Sequence, residues 1–207
     1  MALLTTMTND NIGSPMPKFT FGWTNTFRYK NFDLSVFING SYGNKVYNYL
    51  SMKLTHMNSP WTNQLNAVNG RAQLVPINPN KVYEDGTMWY NDVSNVMVAN
   101  PGASIPRATI NDPNDNDRIS DRYIEDGSYI RLKNISLGYT FPKKTIDKLG
   151  LSNLRIYANI QNLLTITGYD GYDPEIGAST SSVNVYGLDN GRYPSPTVYS
   201  FGLNVSF

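Results

Sequence analysis

Five stretches of the chain alternate large apolar with small polar side chains at period two. In residues 18–28 the odd positions Phe19, Phe21, Trp23 and Phe27 are large and aromatic, while Thr20, Gly22, Thr24, Thr26 and Arg28 fill the even ones. Phe32, Leu34, Val36 and Ile38 oppose Asp33, Ser35, Phe37 and Asn39. Ile135, Leu137, Tyr139 and Phe141 oppose Ser136, Gly138 and Thr140. Leu154, Ile156, Ala158 and Ile160 oppose Arg155, Tyr157 and Asn159. Tyr199, Phe201, Leu203, Val205 and Phe207 oppose Ser200, Gly202, Asn204 and Ser206. Successive side chains on a strand point to opposite faces, so each stretch predicts a strand with one apolar and one polar surface. The expected strands cover about 18–28, 32–42, 129–141, 154–165 and 197–207.

Such strands suit either an antiparallel sheet lying on a soluble core or the wall of a membrane barrel. Three features favour the barrel. The polar faces are hydroxylic and small, as a lumen lining would be, and the apolar faces end in aromatics, as interfacial girdles would. The connections alternate in length: a tight turn at residues 29–31 and a short link at 142–152, against long stretches at about 41–128 and 167–196. Loops of that length are uncommon inside compact domains. They match short periplasmic turns and long extracellular loops, with room for a short helix just after residues 44–50. The closing strand, with Tyr199, Phe201, Leu203, Val205 and an aromatic Phe207, resembles the signal read by the outer-membrane barrel assembly machinery. Antiparallel order then makes the strand at 197–207 descend to the periplasm and puts both long loops outside the cell.

Composition narrows the picture further. Charged residues are 16% of the 207, below the roughly 25% of soluble domains, and aromatics are 13%. Seventeen Lys and Arg nearly balance sixteen Asp and Glu, so no net field draws in nucleic acid. The absence of Cys excludes disulfides, thiolate metal sites and a cysteine nucleophile. Residues 1–6 carry no signal-peptide pattern, and no run approaches the roughly 18 apolar residues of a membrane helix. The chain is therefore either cytoplasmic or a piece whose export signal lies upstream, and the strand pattern favours the second.

Several blocks resemble SusC/RagA-type TonB-dependent outer-membrane transporters: residues 11–22 (NIGSPMPKFTFG), 29–44 (YKNFDLSVFINGSYGN), 120–139 (SDRYIEDGSYIRLKNISLGY), 154–164 (LRIYANIQNLL) and 168–175 (GYDGYDPE). They occur in the family's order. The resemblance implies an all-β chain, an antiparallel meander of about five strands from a transmembrane barrel of about 22. It implies import of oligosaccharides or peptides, with a SusD-like surface lipoprotein as lid and the TonB complex as energy source. The plug domain, the TonB-contacting segment and the signal peptide are absent, so residues 1–207 read as the C-terminal barrel part, not functional alone. Lipid tolerates no open sheet edge. In isolation the strands should form a curved sheet with one greasy face, its outer edges completed by missing strands.

The remaining chemistry is sparse. Trp61, Trp89, Tyr90, Tyr169 and Tyr172 lie in the long loops, where aromatic rings offer stacking surface to sugars or peptides. Asp112, Asp115 and Asp117 have the oxygen density of a calcium loop but lack the Gly and Glu of the EF-hand pattern, and a solvated acidic loop is expected. His56 is the only histidine and is expected at the surface. Glu125 and Asp126 are expected to hydrogen-bond a turn. With no phosphate loop, nucleophile elbow or convergent catalytic set, no enzyme and no cofactor are expected. A soluble carbohydrate-binding β-sandwich is the alternative, and a secreted hydrolase with an unusual carboxylate site the third reading.

Overall fold

The computed structural model describes residues 11–110, 112, 115–175 and 186–207; residues 1–6 and part of the acidic loop, Pro113 and Asn114, lie outside these. The chain divides into two compact units, one built from the strands and one from residues 49–123 of the first long connection.

The strand unit holds a five-stranded antiparallel sheet in the order β1 (Phe19–Tyr29), β2 (Phe32–Tyr42), β7 (Tyr129–Thr140), β8 (Asn153–Thr167) and β10 (Val198–Ser206). This is the expected meander. β3 (Lys45–Asn48), β6 (Ile124–Asp126) and β9 (Leu188–Asp189) form a second small sheet in the order β6-β3-β9, which the period-two reading did not show because the strands have only two to four residues.

Register turns the sequence alternation into two surfaces. One row runs Trp23–Ile38 across β1 and β2, and another runs Leu34–Leu137–Ala158–Phe201 across β2, β7, β8 and β10. The opposite face carries the row Ser35–Ser136–Asn159–Ser200 and, on β1, Thr26. Among the described residues of this unit no layer covers the apolar face: Phe201 is 84% exposed and Trp23 and Phe27 55% each. A sandwich would bury these side chains under a second sheet; here they stay open, as a lipid-facing wall requires.

Close cross-strand packing depends on three glycines. A Cβ at Gly40 would meet the Phe21 ring at 2.5 Å, and one at Gly202 would meet the Tyr157 ring at 2.1 Å. Aromatic rings lying over glycines on the neighbouring strand pin the register. A Cβ at Gly138 would lie 2.3 Å from the Arg155 guanidinium. Glycine there lets Arg155 on β8 pass over β7 and reach Asp33 on β2, with Nη2 to Oδ2 at 2.6 Å and Nε to Oδ1 at 3.1 Å.

The two short turns sit side by side. Asn31 donates its side-chain amide to the Thr140 carbonyl, and the Thr140 N–H donates back to the Asn31 carbonyl. The link at 142–152 folds into α2 (Lys143–Ile146) and a 3-10 turn, anchored by Ile146, which is 2% exposed. It closes at Gly150, whose left-handed φ of 68° suits a residue without Cβ.

In the other unit, the short loop helix is α1 (Tyr49–Thr55), and β4 (Leu74–Pro76) pairs antiparallel with β5 (Val96–Val98). Asn95 holds the hairpin by donating to the Asn78 carbonyl and the Tyr83 hydroxyl. No described helix is long and apolar enough to cross a membrane, which says nothing about strands.

Candidate functional site

The polar face acquires charge where β7 breaks its alternation. Ile130 and Leu132 lie on the apolar face at even positions, whereas Ile135, Leu137 and Tyr139 lie there at odd ones. The switch of phase is a bulge: Ile38 on β2 pairs with Leu132 while Phe37 pairs with Asn134, leaving Lys133 as the extra residue. Bulges re-aim side chains locally, and this one brings Lys133 and Arg131 onto the same carboxylate.

Arg131 pairs across the sheet with Asn39 and Thr165, so it stands on the polar face. Its side chain is 3% exposed. It donates Nε to the Thr165 hydroxyl at 2.8 Å, Nη1 to Glu175 at 2.7 Å and Nη2 to Asp173. Lys133 donates to the same Glu175 oxygen at 2.7 Å. Asp173 also accepts the backbone N–H groups of Glu175 and Ser195, each at 2.9 Å. Burial works to raise the Asp173 pKa, but the Arg131 guanidinium and these two N–H donors outweigh it and hold the carboxyl below the ordinary carboxylate range. Two cations and two carboxylates thus clamp both arms of the segment after β8 onto the polar face.

The same segment is tied at two further points. Tyr169, 5% exposed, donates its hydroxyl to Asp189 at 2.5 Å, and Asp189, 2% exposed, also accepts from the Gly191 N–H. Burial and the neighbouring carboxylate push the Tyr169 phenol far above its usual range. Glu125 accepts from the Asn48 side chain and the Asp170 N–H, both at 2.9 Å. Asp126 accepts the Ser128 N–H at 2.8 Å, closing the turn before β7. The two acids act as turn and loop anchors, as the sequence predicts.

The expected loop aromatics divide between the two units. Tyr172 is 65% exposed in the clamped segment. In the other unit Trp61 is 92% exposed, and Trp89 packs edge-on against Tyr90, which is 42% exposed. Tyr169 must be withdrawn as a ligand-stacking candidate: its ring is buried and its hydroxyl is committed to Asp189.

Two further expectations need correction. His56 is not a free surface residue. Its side chain is 11% exposed, and Nε2 lies 3.0 Å from Asp112 Oδ2. The acidic loop is not simply solvated either, because Asp112 is 9% exposed and accepts from the Asn116 amide and the Asp117 N–H. Burial raises the Asp112 pKa, but those hydrogen bonds and His56 bring it below the usual value. Asp112, Asp115 and Asp117 form no metal-binding group among the described residues.

The sequence reading missed Arg131, Lys133, Asp173, Glu175 and Asp189 as a site. A signal was present in the chain: two cations flanking a phase switch in an otherwise apolar and hydroxylic strand, and an Asp-Pro-Glu triplet in the loop.

A two-faced antiparallel meander, open on its apolar face and joined by short turns at one end and long connections at the other, is a segment of an outer-membrane β-barrel wall. Comparison with known proteins specifies which kind. The chain is 36% identical over 201 residues to TonB-dependent receptor P3 of Formosa agariphila, covering 95% of this chain and 17% of that receptor. It is 28% identical over 196 residues to the TonB-dependent receptor SusC of Bacteroides thetaiotaomicron, covering 93% of this chain and 15% of SusC. The structure of the RagAB peptide transporter shares the fold, with a TM-score of 0.65 and 20% identity over 94% of this chain and 18% of that one. No family model matches. The chain is therefore similar along nearly its whole length to a SusC/RagA-type TonB-dependent receptor of the outer membrane, and it spans about a sixth of such a receptor.

Proposed function

We propose that residues 1–207 form the C-terminal wall and loops of a TonB-dependent nutrient importer, without enzymatic activity and unable to transport alone. The carrying observation is the open apolar face set against a polar face bearing the Arg131–Asp173–Glu175–Lys133 clamp. In this reading the apolar face meets lipid, the polar face lines the lumen, and the segment after β8 folds over the lumen mouth. The strand edges at β1 and β10 are completed by other barrel strands, since lipid leaves no backbone group unpaired at an open edge.

The relatives' kind supports an oligosaccharide or peptide cargo, a SusD-like surface lipoprotein over the loops, and the TonB complex acting through a region outside this chain as the proposed substrate class and partners. Tyr172, Trp61, Trp89 and Tyr90 are the loop aromatics available to cargo or lid. The outward row of β10, Tyr199, Phe201, Leu203 and Val205, with Phe207, is what the barrel assembly machinery would read.

The test is membrane fractionation of the chain with its natural upstream sequence restored, scored by heat-modifiable gel migration. A folded, heat-modifiable outer-membrane species supports the reading. A soluble, monodisperse product with no membrane fraction overturns it.

A further inference from the structure

The apolar face is not evenly covered. Ala158 sits in the row Leu137–Ala158–Phe201, and the next row toward the short turns is Tyr139–Ile156–Leu203. Five of these six side chains are large and one is a methyl group, so the surface dips at Ala158 into a groove of about 550 Å³. Phe201 stands 84% exposed and Leu203 60% exposed on one bank. Phe32 packs at a tilt against Tyr139, with centroids 4.7 Å apart, at the end nearest the turns. A groove with these walls suits a flexible hydrocarbon chain lying along the strands.

Directly beyond that end lie the two short turns, held together by the paired hydrogen bonds between Asn31 and Thr140. They carry Lys30, Lys143, Lys144 and Lys148, all exposed, against the single carboxylate of Asp147. None of the four lysines makes an ion pair with a described residue, whereas Lys45, Lys81 and Lys133 all do. Lys30 holds its ammonium 5.4 Å from the Tyr29 ring centroid, and the ammonium groups of Lys143, Lys144 and Lys148 on the turn next to the groove match the chemistry of a phosphate headgroup on an acyl chain.

We infer that this groove and its lysines form a seat for one anionic phospholipid of the periplasmic leaflet, the acyl chain over Ala158 and the phosphate on the turn lysines. The inference rests on reading the apolar face as lipid-facing and the short turns as periplasmic. It adds a defined, headgroup-selective site to a surface that would otherwise meet lipid without preference. The selectivity is electrostatic at the turns and steric at Ala158, so the two halves can be broken separately.

The test uses the receptor with its natural upstream sequence, purified from outer membranes, confirmed heat-modifiable, and titrated with phosphatidylglycerol or phosphatidylcholine of equal chain length in native mass spectrometry. Phosphatidylglycerol is expected to be retained at least tenfold more than phosphatidylcholine. Ala158→Phe, or the milder Ala158→Leu, should cut phosphatidylglycerol retention severalfold by filling the dip. The exposed pair Lys143→Glu with Lys144→Glu should abolish the headgroup preference and leave phosphatidylcholine retention unchanged. Equal retention of the two lipids by a heat-modifiable wild-type protein overturns the inference alone, as does retention indifferent to the Ala158 variants. A wild-type protein that is not heat-modifiable overturns the barrel reading and this inference together.

Discussion

Replacing Arg131 by Ala removes the centre of the clamp and leaves Asp173 buried with its charge. Breaking a buried ion pair by deleting one partner costs about 3–5 kcal/mol, because the remaining charge stays desolvated. Asp173 keeps the N–H groups of Ser195 and Glu175, and Glu175 keeps Lys133, so the lower end applies here. A loss of about 3 kcal/mol raises the population of the opened segment roughly a hundredfold, at tenfold per about 1.4 kcal/mol. Arg192, exposed and three residues before Ser195, is the natural reporter, since trypsin can cut there once the clamp opens. When opening and closing are fast, cleavage tracks the opened population. Tryptic nicking at Arg192 on intact cells should therefore rise about a hundredfold in Arg131→Ala. Adding Asp173→Asn should recover much of this loss, because it removes the stranded charge, whereas Asp173→Asn alone should open the segment less than Arg131→Ala does. Wild-type nicking rates in Arg131→Ala, or strictly additive effects in the double variant, would refute the clamp.

Other consequences are equally concrete. His56→Ala deprives Asp112 of a nearly buried partner and should cost about 1–3 kcal/mol, seen as faster hydrogen exchange across residues 112–123. Because Asp112 titrates below its unfolded value, its contribution is complete above about pH 4 and is lost as pH falls further; exchange in that segment should accelerate only on the acid side. Gly138→Val pushes a side chain into the Arg155 guanidinium and separates it from Asp33, a partly exposed pair worth about 1 kcal/mol, so the heat-modification midpoint should drop by more than in Asp33→Asn. Tyr169→Phe leaves Asp189 without its hydroxyl donor and should cost about 1–3 kcal/mol, again read as nicking at Arg192.

The five long strands were legible because period-two alternation follows from strand geometry alone and each strand buries no second face. β3, β6 and β9 were not, since two to four residues cannot establish a period. The bulge at Lys133 was half-visible: Ile130 and Leu132 fall out of phase with Ile135 and Leu137, yet nothing local says that the extra residue turns a cation toward a distant carboxylate. The clamp pairs residues about forty positions apart, and His56 meets Asp112 fifty-six positions away; such pairings are set by tertiary packing, which patterns within one segment do not carry. Tyr169 shows the converse error. An aromatic in a long loop reads as surface, but this loop is itself packed, and its hydroxyl found a buried partner.

The central claim is that one face of the sheet meets lipid and the other a wet lumen, and cysteine accessibility along single strands tests it most directly. The chain contains no Cys, so an introduced thiol is the only one within it, and any upstream Cys is first replaced by Ser. In the receptor with its natural upstream sequence, cysteines at Trp23, Ile38, Leu137 and Ile160 should resist a charged, water-soluble maleimide. Cysteines at Thr24, Asn39, Ser136 and Asn159 should react with it. Reactivity that alternates with every residue along each strand, in this phase and switching at Lys133, is the predicted result; uniform reactivity, or alternation in the opposite phase, would contradict the account.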